Sequence, residues 1–136
     1  MATIQWDLTM STGIDAIDNQ HKQLIRWLND LLAAMSQGRG RTEIEAVLAK
    51  LGGYAVTHFA YEEDCMTKYH CPVAAQNAAA HQDFVATFAS LSEEYERTGA
   101  TAHLVIRVES ELLRWLTTHI KRTDTQLLPC VKGAKA

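Results

Sequence analysis

Four stretches of this chain place apolar residues at intervals of three and four, the spacing that turns one face of an α-helix toward a core. The first, about 18–37, carries His21, Leu24, Leu28, Leu31 and Met35 and stops at Gly38-Arg39-Gly40, a C-terminal glycine signal. The second, about 43–69, opens at Thr42, where Thr42 and Glu45 read as a capping box. Its stripe is Ile44, Leu48, Leu51, Ala55, His58 and Glu62, and Gly52-Gly53 inside it marks a place for close packing. The third, about 72–97, starts at Pro72, whose missing amide costs a first helical turn nothing. It carries Ala74, Asn77, His81, Phe84, Phe88, Leu91 and Tyr95 and ends at Gly99. The fourth, about 101–119, carries Leu104, Val108, Leu112, Trp115 and His119, after which the pattern fades.

Four long helices with short connections predict an all-α chain, an antiparallel up-down four-helix bundle forming a single domain over 1–136. Residues 1–17 read as an irregular N-terminal arm whose Trp6 docks on a bundle end, and 132–136 as a frayed tail. Seven glycines and two prolines in 136 residues are too few for the many turns of an all-β fold. With 47% apolar and 21% charged residues the chain is not disordered. A net charge of −3 without a basic cluster argues against nucleic acid. The first ten residues lack a secretory pattern, and no run nears the roughly 20 apolar residues that span a bilayer. Cys65, Cys71 and Cys130 form no C-x-x-C pair, which predicts reduced thiols in a cytoplasmic protein. A monomer is expected.

Each predicted helix carries one histidine on its apolar stripe. A lone histidine there is ordinarily a satisfied core residue. Four in register ask for another account. His21 and His58 stand almost equally far from Gly40, and His81 and His119 equally far from Ala100. Across Cys71 the mismatch between His58 and His81 is about one helical turn. The four imidazoles therefore converge on one layer, where a bound metal would offset their desolvation. Glu62, four residues after His58, points into the same layer. Asp124, about 140° around a helix from His119, joins them only if the helix ends or unwinds between the two. Imidazoles and carboxylates without a thiolate suit iron or manganese better than tetrahedral zinc.

The segments Asp18-Asn19-Gln20-His21, His58-Phe59-Ala60-Tyr61-Glu62-Glu63, His81-Gln82-Asp83-Phe84, and Trp115-Leu116 with His119-Ile120-Lys121-Arg122-Thr123-Asp124 resemble bacterial hemerythrin. The resemblance spans nearly the whole chain. It implies two non-haem irons joined by an oxo or hydroxo bridge, with Glu62 and Asp124 as bridging carboxylates. It also implies that His21 and His58 hold the iron with an open position, and that His81 and His119 hold the other. One departure stands out: the family's third helix carries H-x-x-x-H, and the first of those positions is Asn77 here. An amide oxygen is a weaker ligand to iron than an imidazole nitrogen.

The leading expectation is a protein that binds dioxygen, or a similar small ligand such as peroxide or azide, as carrier, store or sensor. Ile25, Leu28, Leu116 and Ile120 would line its dry pocket. The competing expectations are a di-iron peroxidase or oxidase opened by Asn77, and a bundle whose metal site has decayed. Tyr61 and Trp115, near the proposed layer, read as ordinary core packing, and the three cysteines as buried or half-buried free thiols rather than a redox pair.

Overall fold

The computed structural model describes residues 4–135, with side chains through Lys132. Three long helices, α1 (Asp15–Ser36), α2 (Arg41–Lys68) and α3 (Ala74–Thr98), precede a fourth rod built of α4 (Ala102–Arg107), a π-helical segment (Val108–Arg114) and α5 (Trp115–Arg122). A 3₁₀ turn over Asp124–Gln126 leads into α6 (Leu127–Lys135). Successive helices pack side by side, and the fourth rod closes on both α1 and α3, which makes a four-helix bundle.

Local signals explain several shifts from the sequence reading. Helix α1 starts three residues early because Asp18, buried in its first turn, accepts from the Thr12 amide at 2.9 Å, the Thr12 hydroxyl at 2.8 Å and the Ser11 hydroxyl at 3.0 Å. The expected capping box is not formed. Gly40 is the N-cap, Thr42 lies within α2, and Glu45 instead pairs with Arg41 Nε at 2.8 Å. Pro72 does not begin α3; it sits in a turn closed by Ala74 N–H donating to the Cys71 carbonyl at 3.1 Å. Helix α2 stops at a non-glycine left-handed residue, His70 at φ 52°, with Cys71 N–H donating to the Met66 carbonyl at 2.9 Å. No glycine marks that stop in the sequence.

The N-terminal segment is less irregular than expected. A 3₁₀ turn, Leu8–Met10, is capped by the Asp7 carboxylate, and half-buried Trp6 packs on the main core under the Lys22 ammonium at 4.4 Å. Of the tail expected to fray, 132–135 continue the helix that begins at Leu127, and Ala136 lies outside the described residues. Tyr61, expected near the layer as core packing, is 42% exposed. Gly52 does mark a close approach, since a Cβ there would meet the Phe88 ring at 2.9 Å, whereas Gly53 faces open space.

The interior is divided. A large apolar cluster holds Leu24, Leu28, Leu31, Leu51, Phe59, Phe84, Leu104, Leu112, Leu116 and Ile120. A small one holds Ile17, Met66, Cys71 and Leu127, with Cys65 and Cys130 at its edge. His21 stands between Ile17 and Leu24 in the chain, Glu62 between Phe59 and Met66, and Asp124 between Ile120 and Leu127. A polar layer thus separates the two clusters. Fully burying one leucine contributes about 1.5–3 kcal/mol, so the large cluster can carry a polar layer that costs stability.

Candidate metal centre

All four helices deliver to this layer. His21 comes from α1, His58 and Glu62 from α2, Asn77 and His81 from α3, and His119 from α5, all buried. Asp124 reaches it because α5 ends at Arg122: Thr123 departs to φ −111°, and the tighter turn after it swings the carboxylate inward to 1% exposure. The π-helical segment, invisible in the apolar pattern, adds width to the fourth rod between Leu104 and His119.

Glu62 is the hub. One oxygen, Oε2, lies 3.0 Å from His21 Nε2 and 3.5 Å from His58 Nε2. The other, Oε1, lies 3.1 Å from His81 Nε2 and accepts from Asn77 Nδ2 at 3.1 Å. Asp124 is the second hub, with Oδ2 3.2 Å from His21 Nε2 and Oδ1 3.2 Å from His119 Nε2. Ligand atoms of His21, His58 and Glu62 lie within 4.8 Å of one another, and so do those of Glu62, His81, His119 and Asp124. The two sets share Glu62.

Close as they are, several of these atoms make no hydrogen bond. His58 Nε2, His81 Nε2 and Asp124 Oδ1 are buried and have no hydrogen-bond partner among the described residues. Buried polar atoms left so are rare and costly. They lie among ligand atoms within 4.8 Å of one another, an arrangement a cation would satisfy. The donor set fits iron, and on this observation the residues fit the group that the resemblance implies.

The histidines are backed unequally. His58 Nδ1 meets the Gln20 amide oxygen at 2.6 Å, and His81 Nδ1 meets the Glu63 carboxylate at 3.2 Å, while His21 Nδ1 has no partner among the described residues. Phe59 stacks on His81 at 4.0 Å, and Trp115 on His119 at 4.9 Å. Without a metal, burial pushes the His58 imidazole below its ordinary range. Burial pushes His21 the same way, but the Asp124 and Glu62 carboxylates overcome it and hold the ring up at about 9. Against burial, His81 is likewise raised by Glu62 and Glu63, and Glu62 is held well below the carboxylate range by the three imidazoles around it.

Residues 12–131 match the Hemerythrin HHE cation binding domain. The chain belongs to the hemerythrin family. Among hemerythrin relatives, the bacteriohemerythrin of Pseudomonas paraeruginosa is 32% identical over 97% of this chain and 84% of its own. That of Methylococcus capsulatus is 29% identical over 98% of this chain and 100% of its own. A crystal structure of wild-type hemerythrin superposes with a TM-score of 0.80 at 28% identity, covering 96% of this chain and 98% of its own.

A hemerythrin-family chain thus carries a cation-binding layer. Asn77 sits at its centre with 0% exposure, its oxygen accepting from His119 Nε2 at 2.6 Å and its Nδ2 also donating to Met66 Sδ at 3.2 Å. Ile25, Leu28, Leu116 and Ile120 are buried in the large apolar cluster. His70 and His103 stay outside, the latter exposed and paired with Glu94. Gln20 and Glu63 have no role assigned by the sequence pattern alone. Each directly follows or precedes a layer residue, and adjacency in sequence gives no sign that a side chain will reach behind a ring on another helix. The Cys71 thiol is pushed up to about 12 by burial and the neighbouring Cys130. Among the described residues no helix is long and apolar enough to cross a membrane.

Proposed function

We propose that this chain is a non-haem di-iron protein that binds dioxygen reversibly, as a carrier, store or sensor, in the cytoplasm and as a monomer. The observation that carries the reading is the set of buried, unpartnered His58, His81 and Asp124 atoms converging with Glu62. His21 and His58 would hold one iron, His81 and His119 the other, and Glu62 and Asp124 would bridge them. Two bound irons would supply the two electrons that reversible dioxygen binding requires.

The chain's own residues set the conditions for that chemistry. Leu28, Leu116 and Ile120, each 0% exposed, exclude water beside the layer, and a dry layer withholds the protons that would drive reduction onward. Asn77 occupies the position of an expected ligand. Its amide donates to Glu62 and accepts from His119, so His119 must give up that N–H before its Nε2 can meet a cation.

Metal analysis of the purified protein tests the reading: about two irons per chain is expected, with a visible absorption band that appears in air and fades on deoxygenation. No bound metal would instead mark a decayed site. A second reading, a di-iron peroxidase, is favoured by the weak donor at Asn77. Metal-dependent oxidation of a reducing dye by hydrogen peroxide, at many turnovers per chain, would select it.

A further inference from the structure

His81 is the one layer histidine whose outer nitrogen, among the described residues, meets a charged group. Its Nδ1 lies 3.2 Å from Glu63 Oε2, and Phe59 lies against its face at an interplanar angle of 11°, so the ring has one rotation that satisfies both neighbours. The Glu63 side chain is 36% exposed, at the edge of a groove of about 620 Å³ between α2 and α3 that is also lined by Asp64, His81, Gln82 and Val85. Solvent reaches this carboxylate, so its charge is tolerated where a fully buried one would need its own partner. His58, by contrast, rests on the neutral amide of Gln20. The charged support therefore falls on the same side of the layer as Asn77, where an imidazole is missing.

We propose that Glu63 is a positioning residue that accepts the Nδ1–H of His81, turns Nε2 into the layer, and strengthens that nitrogen as a donor to the cation on the Asn77 side. A ring whose N–H is shared with a carboxylate carries more electron density on its other nitrogen than one sharing with an amide. The support compensates for the imidazole that Asn77 does not provide. The inference rests on the two-metal reading above.

Cobalt(II) alone, titrated into the full metal-free chain, tests it. The wild type is expected to hold two ions. Glu63→Ala should weaken one of them by about 10–100-fold and leave the other unchanged, with Glu63→Gln between, since glutamine keeps an acceptor and loses the charge. Proton NMR of the cobalt-loaded protein supplies a readout that a merely structural role would not move. One downfield exchangeable ring N–H should be lost to solvent exchange in Glu63→Ala, while the N–H shared with Gln20 persists. Two ions held with wild-type affinity in both variants, equal weakening of both ions, or an unchanged NMR spectrum would overturn the role of Glu63 and spare the two-metal reading. A wild-type chain that takes up no cobalt would overturn that reading and this inference together.

Discussion

The two halves of the polar layer share Glu62 and Asp124 but are built differently. On one side, His21 and His58 face each other with ring centroids 4.6 Å apart, in a dry setting with at most a neutral amide behind them. On the other, His81 and His119 sit 5.4 Å apart beside an amide, with a carboxylate behind one ring and an open groove beyond it. The bundle dictates where donors stand and leaves their strength to single residues. Two sites of similar geometry can therefore differ in how firmly they hold a cation.

The largest expected effect removes the difference by breaking both halves at once. Glu62→Ala deletes the carboxylate that both sets share and should lower retained metal to near zero after gel filtration. That loss exceeds the roughly 10–100-fold typical of residues behind a ligand. Retention of one ion would mean that the halves are independent.

Asn77→His should instead level the two halves. An added imidazole ought to slow release of the weaker metal to a chelator by about 10-fold or more, and to lengthen the life of the oxygen-dependent absorption band. Unchanged release and lifetime would show that position 77 is not a ligand position.

Acidity should sharpen the contrast next. In the metal-free chain His21 is held up at about 9, above its ordinary 6.5, so below that pH a metal must displace its proton. Apparent affinity should rise with pH toward about 9 and level off above it, with protons released on loading at neutral pH and detectable with an indicator dye. Loading without proton release would contradict the carboxylate-held proton.

Changes to the scaffold alone should leave both halves alike. Gly52→Ala drives a Cβ to 2.9 Å from the Phe88 ring and should cost about 1–3 kcal/mol in denaturant unfolding of the metal-free protein. Gly53→Ala, facing open space, should gain up to about 1 kcal/mol from helix propensity. Either variant shifting the ratio of the two metal affinities would tie the halves to packing as well as to their donors.

The smallest effect lies far from the layer. Arg107 bonds Glu94 at 2.6 Å and Glu111 at 2.7 Å and holds both carboxyls below their ordinary 4.5. Groups so lowered add stability above that value and lose it as pH falls through their folded range. Arg107→Gln should therefore lower the thermal midpoint slightly at pH 7 and progressively less as pH falls below 4.5, with no change in metal affinity.

Much of this molecule could be read from the chain alone. Apolar residues at helical spacing encode an inward face locally, and near-equal distances from Gly40 and Ala100 carry the histidines to one height, because every helical residue adds the same rise. The mid-helix Gly52 likewise announced a close neighbour. Helix ends were less legible: the cap at Gly40, the turn at Pro72 and the left-handed stop at His70 depend on which backbone groups find partners once the chain has folded. Three things belonged to the tertiary structure. Thr123 breaks the fourth rod where Asp124 can turn inward, Asn77 links Glu62 to His119, and Glu63 reaches across to His81 from a neighbouring helix. Sequence periodicity records which face of its own helix a residue occupies. Which atom on another helix meets that face is settled only when the helices pack, since hydrogen bonds and orphaned donors are properties of the assembled layer.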